Sequence, residues 1–369
     1  MAVAQLIAAN AVVSFLAVPP DERFLDLAGW VWPVLLAVVV VASFRGARRS
    51  LANWSRRALL YPALAVLSLI ALGGAVGTVM AATASNPAPA TGHIYRANGH
   101  RLYLNCVGSG SPTVVLFSGL GEWTPNWAWV QANVSAKTRV CAFDRAGEGW
   151  SGGDAVRQDG HQLAADLHAL LRVAHVPGPY VLAGHSVGGT YALVYAAQYP
   201  SRVAGLALID SATPYQFDLP DYPSFYSMFK RASALLPVAA RTAMGRMELR
   251  SGSGSLPPRA RDAARAFNSS PRQLTASRVE FLQLPTVFNE AKAVRSLYGK
   301  PLAVLTASVG EMRGWTAAQN KLAQLSTNST HHTVAGATHD ALLEDEKFAR
   351  TTAGAITEVV VRARSGRRS

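Results

Sequence analysis

From Thr113 onward the chain keeps one rhythm: a short apolar run, a turn, then a helical stretch. The runs are "TVVLFSG", "TRVCAFDRAG", "YVLAGHS", "VAGLALIDS", "PLAVLTA" and "HHTVAGA", preceded by "HIYRANG" and "HRLYLNCVG". Helical segments are expected at 127–134, 160–174, 189–199 and 341–362. Buried runs separated by helices predict an α/β domain on a mostly parallel sheet. Ligands of such sheets bind beyond the carboxyl ends of the strands, so the chemistry belongs in the residues just after each run. The rhythm breaks once, over residues 213–300, where helical segments and the loop "SGSGSLPP" intervene. A connection of that length implies an inserted cap.

One of these post-strand turns stands out. In "YVLAGHSVGGTYALVYAAQYP" a serine sits between glycines, after an apolar run and before a helix of small residues. Gly-x-Ser-x-Gly alone arises by chance in about one chain in ten of this length. The strand–serine–helix junction is far more specific. It describes a nucleophile elbow, a sharp turn that exposes Oγ and aims the next backbone N–H at the same spot. Side chains in place of the glycines would collide with strand or helix. Ser186 is therefore the candidate nucleophile, against the plainer reading of a turn serine.

Four turns together carry a family resemblance: "SGLG", "DRAGEGWSG", "GHSVGG" and "GATHDAL", in that order after the third, fourth, fifth and last runs. Residues 93–362 resemble the α/β-hydrolase-fold serine hydrolases. The resemblance implies a mostly parallel sheet flanked by helices, a helical cap, and a Ser-His-acid triad. A serine hydroxyl attacks only when a base takes its proton. The resemblance makes His339 that base, while His331 and His332 read as strand residues and His185 points the other way at the elbow.

The acid departs from the commonest family pattern. Most relatives carry Asp in the loop after the strand matching "PLAVLTA", and here "SVGEMRGW" offers only Glu311. Some relatives instead use the position of Asp210, at the end of "LALID". Asp210 is favoured because it directly ends a strand, and Glu311 remains the alternative. For the oxyanion hole the resemblance implies the backbone amides of Leu120 and Val187. Ser118-Gly119 replaces the family's usual His-Gly, which keeps the backbone donor.

The turn "DRAGEGWSG" is expected to be structural, with Asp144 and Arg145 ion-paired. A serine at the nucleophile position argues against epoxide or haloalkane chemistry, where relatives carry Asp. The chain has two cysteines, Cys106 and Cys141. The resemblance sets them on neighbouring strands, so a cross-strand disulfide is possible, the alternative being two buried thiols. No HExxH, CxxC or strand-opening GxGxxG appears, so no metal or cofactor is expected.

The N-terminal 85 residues are of another kind. Residues 1–20, 28–44 and 58–85 lack Asp, Glu, Lys and Arg. A spanning helix needs about 20 apolar residues. The third segment exceeds that, the second is borderline, and the first is diluted by Gln5, Asn10 and Ser14. Residues 1–85 are thus expected to be a membrane anchor of two or three helices, 86–92 a linker, and 93–369 the α/β domain. The Arg-rich loop "RGARRSLANWSRR" places itself in the cytoplasm by the positive-inside rule, and the catalytic domain outside. A cleaved signal peptide over residue 58 onward is the rival and exports the domain equally.

The formal net charge of +13 does not indicate a nucleic-acid partner, because no arginine cluster is interleaved with aromatics on a binding motif. Basic residues of the insertion (Arg241, Arg246, Arg250, Arg259, Arg261 and Arg265) suit anionic lipid headgroups instead. The sequence therefore predicts a membrane-anchored serine hydrolase acting on a small-molecule or lipid-like ester. Aminopeptidase, amidase or thioesterase chemistry and a non-catalytic binding protein are the alternatives. It implies no particular oligomeric state.

Overall fold

A computed structural model describes residues 22–50, 54–83, 89, 91–153, 157–242, 247–248 and 255–366. They fall into two compact units. One draws on Met1–Ser85, Arg231–Ser251 and Asn268–Thr275, the other on Asn86–Lys230, Gly252–Phe267 and Ala276–Ser369. The insertion expected as one cap is thus divided between them. The first apolar segment, most of the linker, Arg246 and Arg250 lie outside the described residues.

In the first unit, α1 (Glu22–Ser50) and α2 (Trp54–Thr83) pack side by side. Thr78 donates its hydroxyl to the Gly29 carbonyl across the pair at 2.9 Å. A Cβ on Gly74 would lie 2.0 Å from the Trp32 ring, so the contact depends on a residue without a side chain. Leu27–Arg49 and Leu60–Met80 are each long and apolar enough to cross a membrane, with hydropathy 2.2. Leu35, Val38, Leu69 and Leu72 lie exposed along them.

Two expectations change here. The stretch "RGARRS", expected as loop, is helical to Ser50. Arginine is a good helix former, and Arg48 and Arg49 sit at a C-terminus whose dipole favours cations. Arg241 is buried, its guanidinium donating to the Pro237 carbonyl, so it does not face solvent.

The second unit is built on one eight-stranded sheet. Its strands are β1 (His93–Ala97), β2 (His100–Val107), β3 (Thr113–Phe117), β4 (Val140–Asp144), β5 (Tyr180–His185), β6 (Val203–Ile209), β7 (Leu302–Val309) and β8 (Ser329–Thr338). They lie in the order β1-β2-β4-β3-β5-β6-β7-β8. β2 runs antiparallel to both neighbours, and every pairing from β4 to β8 is parallel. Each run singled out in the sequence is a strand. Cys106 faces Cys141 in the β2–β4 register, and the two are joined by a disulfide.

Alternation along the strands feeds two cores. Val115 and Phe117 of β3 pack with Leu163, Leu167 and Leu170 of α4 (Gly160–Val173) and Tyr191 of α5 (Val187–Gln198). Val114 and Leu116 pack on the other side with Val130 and Val134 of α3 (Ala128–Ser135) and the C-terminal helix. The insertion contributes α6 (Tyr222–Ala232), α7 (Pro258–Asn268) and α8 (Pro271–Ala291), and α9 (Trp315–Ala323) links β7 to β8.

The last helical segment is broken. Ala341–Glu344 ends at Asp345, which is extended (φ −92°, ψ 125°) and accepts the Lys347 amide at the start of α10 (Glu346–Ser365). An N-cap of this kind competes with helix continuation.

Candidate active site

The turn after β5 leads directly into α5, which begins at Val187 and not two residues later as the glycines suggested. Ser186 adopts φ 54° and ψ −128°, a left-handed backbone that a serine holds only when its surroundings enforce it. Three backbone bonds do so. The Ser186 amide donates to Ile209 O at 3.1 Å, and its carbonyl accepts from Gly189 N at 3.1 Å and Ala212 N at 2.9 Å. A Cβ on Gly188 would lie 2.1 Å from Phe117 O, which is why the helix can start so close to β3.

The chain leaves β6 through a second strained residue. Asp210 has φ 42°, and its amide donates to Leu305 O at 2.7 Å. Its carboxylate points toward the end of β8, where His339 Nδ1 lies 2.6 Å from Oδ2. A carboxylate only accepts, so Nδ1 carries the proton and Nε2 is left as the basic nitrogen of the neutral ring. Oδ1 accepts the Trp315 indole N–H at 2.8 Å and the Ala307 amide at 3.1 Å. Burial pushes the Asp210 carboxyl up, but the His339 hydrogen bond, the positive charge of that ring when it is protonated, the indole and the amide together hold it below its ordinary value. Glu311 accepts instead from the Thr316 hydroxyl at 2.9 Å. Of the two acids weighed from the sequence, the structure brings Asp210 to His339.

Ser186, His339, Asp210, Leu120 and Val187 all line one cavity of about 280 Å³. Tyr222, Phe225, Phe229, Phe281, Leu284, Met312 and Trp315 form much of its wall, and Glu311 lines it as well. As the first residue of α5, Val187 has no carbonyl one turn back for its N–H. His331 lies elsewhere, bonded to the Thr306 hydroxyl and Asn320.

A family model described as the alpha/beta hydrolase fold matches residues 112–346 of this sequence. The chain belongs to the α/β hydrolase fold family. Among its relatives, an uncharacterized protein of Schizosaccharomyces pombe is 28% identical over 225 residues, 59% of this chain. The chain spans 41% of that relative's length and 42% of the length of a Bacillus subtilis one. A thermophilic esterase from Thermogutta terrifontis has the same fold, with TM-score 0.58 and 20% identity over 74% of this chain and 99% of that one. So does an enol-lactonase from Burkholderia xenovorans, with TM-score 0.54 and 19% identity over 73% of this chain and 100% of that one.

In this chain of the α/β hydrolase fold the Asp-Arg turn after β4 differs from the expected ion pair. Asp144 accepts from the Thr124 amide and hydroxyl at 2.8 and 2.9 Å and from the Trp150 amide at 2.9 Å. Burial pushes its carboxyl up to about 6 despite those bonds. Arg145 pairs with Glu148 at 2.9 Å and Glu280 at 3.0 Å. Its guanidinium also donates to the Ser118 carbonyl at 2.7 Å and the Gly119 carbonyl at 2.9 Å. The physical reason is reach: a strand-end aspartate sits beneath the next loop's amides, while the long arginine extends to its carbonyls. Because the peptide is planar and trans, a held Gly119 carbonyl fixes the Leu120 N–H in the opposite direction. Ser118, in the place of the family histidine, accepts the Trp127 indole N–H at 3.0 Å.

Two residues at the site were not singled out from the sequence, and a third was set aside there. Trp315 gave no signal beyond its place in the loop after β7. Glu122 stands as the only acid in "SGLGEW". His185 is not among the residues that line the cavity, yet its ring lies against the ring of His339, centroids 4.3 Å apart.

Proposed function

We propose that this α/β hydrolase cleaves carboxylic esters through Ser186, His339 and Asp210. The observation that carries the reading is the His339 Nδ1–Asp210 Oδ2 contact of 2.6 Å beside a serine held at a strained elbow in the same cavity. With Nδ1 protonated, His339 Nε2 takes the Ser186 proton as Oγ attacks the substrate carbonyl. The Leu120 and Val187 amides receive the negative charge that develops on the carbonyl oxygen. Protonated His339 then gives its proton to the leaving alcohol, and an acyl group remains on Ser186. Water, deprotonated by His339, releases the acid and restores the serine.

The aromatic wall of Tyr222, Phe225, Phe229 and Phe281 suits an apolar acyl group, and about 280 Å³ is room for a short to medium chain or one ring. These side chains come from the insertion, which we assign as the cap. The two apolar N-terminal helices are assigned as a membrane anchor, with the catalytic domain outside the cytoplasm. The disulfide supports that side, since such bonds persist in oxidising compartments. The solved relatives named above include an esterase and an enol-lactonase, in keeping with ester chemistry.

A fluorophosphonate probe tests the core of this reading. It is expected to label wild-type protein at Ser186 and to leave Ser186→Ala unlabelled. Hydrolysis of p-nitrophenyl esters of graded chain length, set against aminoacyl anilides, tests the substrate class. Absence of labelling in folded protein rejects the nucleophile, and faster anilide cleavage rejects the ester preference.

A further inference from the structure

Against the His339 ring lies a charge pair, His185 buried and Glu122 largely so, that the proposed reaction does not use directly. His185 is fully buried, and its Nδ1 lies 2.6 Å from Glu122 Oε1. The other ring nitrogen, Nε2, lies 3.1 Å from the main-chain carbonyl oxygen of His339. Both partners are acceptors. With Glu122 ionised, the ring satisfies them only with a proton on each nitrogen, as an imidazolium. The second Glu122 oxygen accepts the Gly119 amide at 2.6 Å.

Gly119 belongs to the loop that presents the Leu120 amide. It packs directly on the nucleophile: a Cβ there would lie 3.0 Å from Ser186 Cβ and 2.9 Å from Glu122 Cδ. A continuous path of bonds therefore runs from the Gly119 amide through Glu122 and His185 to the backbone of His339. Its ends are the two loops that must be in register for catalysis, one offering an oxyanion donor and the other the base.

We propose that Glu122 and His185 are a positioning pair that ties the oxyanion loop to the base loop and holds both at reacting geometry. The proposal rests on the roles assigned above to Ser186, His339 and the Leu120 amide. The electrostatics agree with it. Burial pushes His185 down, but the Glu122 charge and hydrogen bond overcome this and raise the imidazole to about 9. Burial raises Glu122 in the same way, and His185 with the Gly119 amide brings it below its ordinary value. Asp210 and Asp340 add negative potential at His185, and Glu344 also feels its charge. A pair that is ionised and bonded at both ends resists the small displacements that cost an enzyme most.

The test uses full-length protein in detergent, with Glu122→Gln and His185→Gln made separately and together. Active sites are first counted by exhaustive fluorophosphonate labelling, and kcat is expressed per labelled site. The positioning role is expected to lower kcat per site by about tenfold or more in either single variant, with KM within about twofold. Labelling should be slower but go to completion. The double variant should be no worse than the poorer single one, because the bonds form one chain.

A purely structural role instead reduces the number of labelled sites and leaves kcat per site at the wild-type value. That result overturns the proposal while the Ser186 assignment stands. Failure of wild-type protein to label at Ser186 overturns the assignment itself. Wild-type protein selectively labelled with 15N-histidine supplies a measurement independent of variant folding. At neutral pH one buried ring must carry protons on both nitrogens, and its absence rejects the pair.

Discussion

The Trp315 indole donates to Asp210 Oδ1 at 2.8 Å while His339 occupies Oδ2 at 2.6 Å. The carboxylate is gripped from both sides and buried, so it cannot rotate without breaking a charged hydrogen bond. Trp315→Phe keeps the ring and removes the donor. It is expected to lower kcat/KM for a short p-nitrophenyl ester about tenfold, the worth of one hydrogen bond to a charged group. An unchanged value means that Ala307 and His339 alone fix the carboxylate.

Asp210 and Glu311 separate cleanly by mutation. Asp210→Asn can stabilise the wrong His339 tautomer and is expected to cost about 10⁴-fold in kcat. Glu311→Gln removes a charge but keeps an acceptor for the Thr316 hydroxyl, and should stay within about threefold of wild type. Steady-state kinetics on both variants decides between them.

The elbow glycine gives a packing test. A methyl group at Gly188 would meet Phe117 O at 2.1 Å and Ser118 O at 2.7 Å, both backbone atoms that cannot swing aside. Gly188→Ala should therefore push α5 from β3, lowering the melting temperature and displacing the Leu120 loop. Overpacking of this kind costs about 1–3 kcal/mol or more. Full activity with unchanged melting would show that the elbow yields more easily than its contacts imply.

Stability should also depend on pH through His185. Its imidazole is raised from 6.5 in the unfolded chain to about 9 in the fold. A raised basic group stabilises the fold fully below its unfolded value, and that contribution fades as pH climbs through the folded value. The difference in melting temperature between wild type and His185→Gln is thus expected to be largest at pH 6 and to shrink between pH 6.5 and 9. Thermal melts across that window give the sign directly. A difference that grows with pH contradicts the buried imidazolium.

The Cys106–Cys141 bridge closes a 35-residue separation in the chain. Replacing both cysteines with serine is expected to cost about 3–4 kcal/mol, by freeing the unfolded chain. Because the bridge lies on the β2–β4 pair and not at the cavity, kcat at low temperature should be nearly unchanged. Denaturant melts and room-temperature kinetics on the same preparation separate the two effects.

The sequence by itself determined the strands, their parallel class and the elbow, because these rest on local rules. Apolar runs choose buried strands, glycines permit the close turn, and Ser186 follows from where it stands between strand and helix. A family resemblance carried by short turns, and not local rules, named His339 and Asp210 and made the cysteine pair possible. What it left open was decided by contacts between residues far apart in the chain. Asp210 is favoured over Glu311 only for its place at a strand end, until β6 and β8 bring its carboxylate to His339 across 129 positions. Arg145 was expected to pair with Asp144; its partners are Glu148 within the same turn, two loop carbonyls and Glu280, 135 residues away, and the last three only the fold brings near. Glu122 carried no pattern, and His185, though part of the elbow motif, gave no sign of its partner. A buried charge shows its purpose only when the fold sets its counter-charge beside it, since the cost of desolvating either one alone is met by a partner the chain order does not reveal.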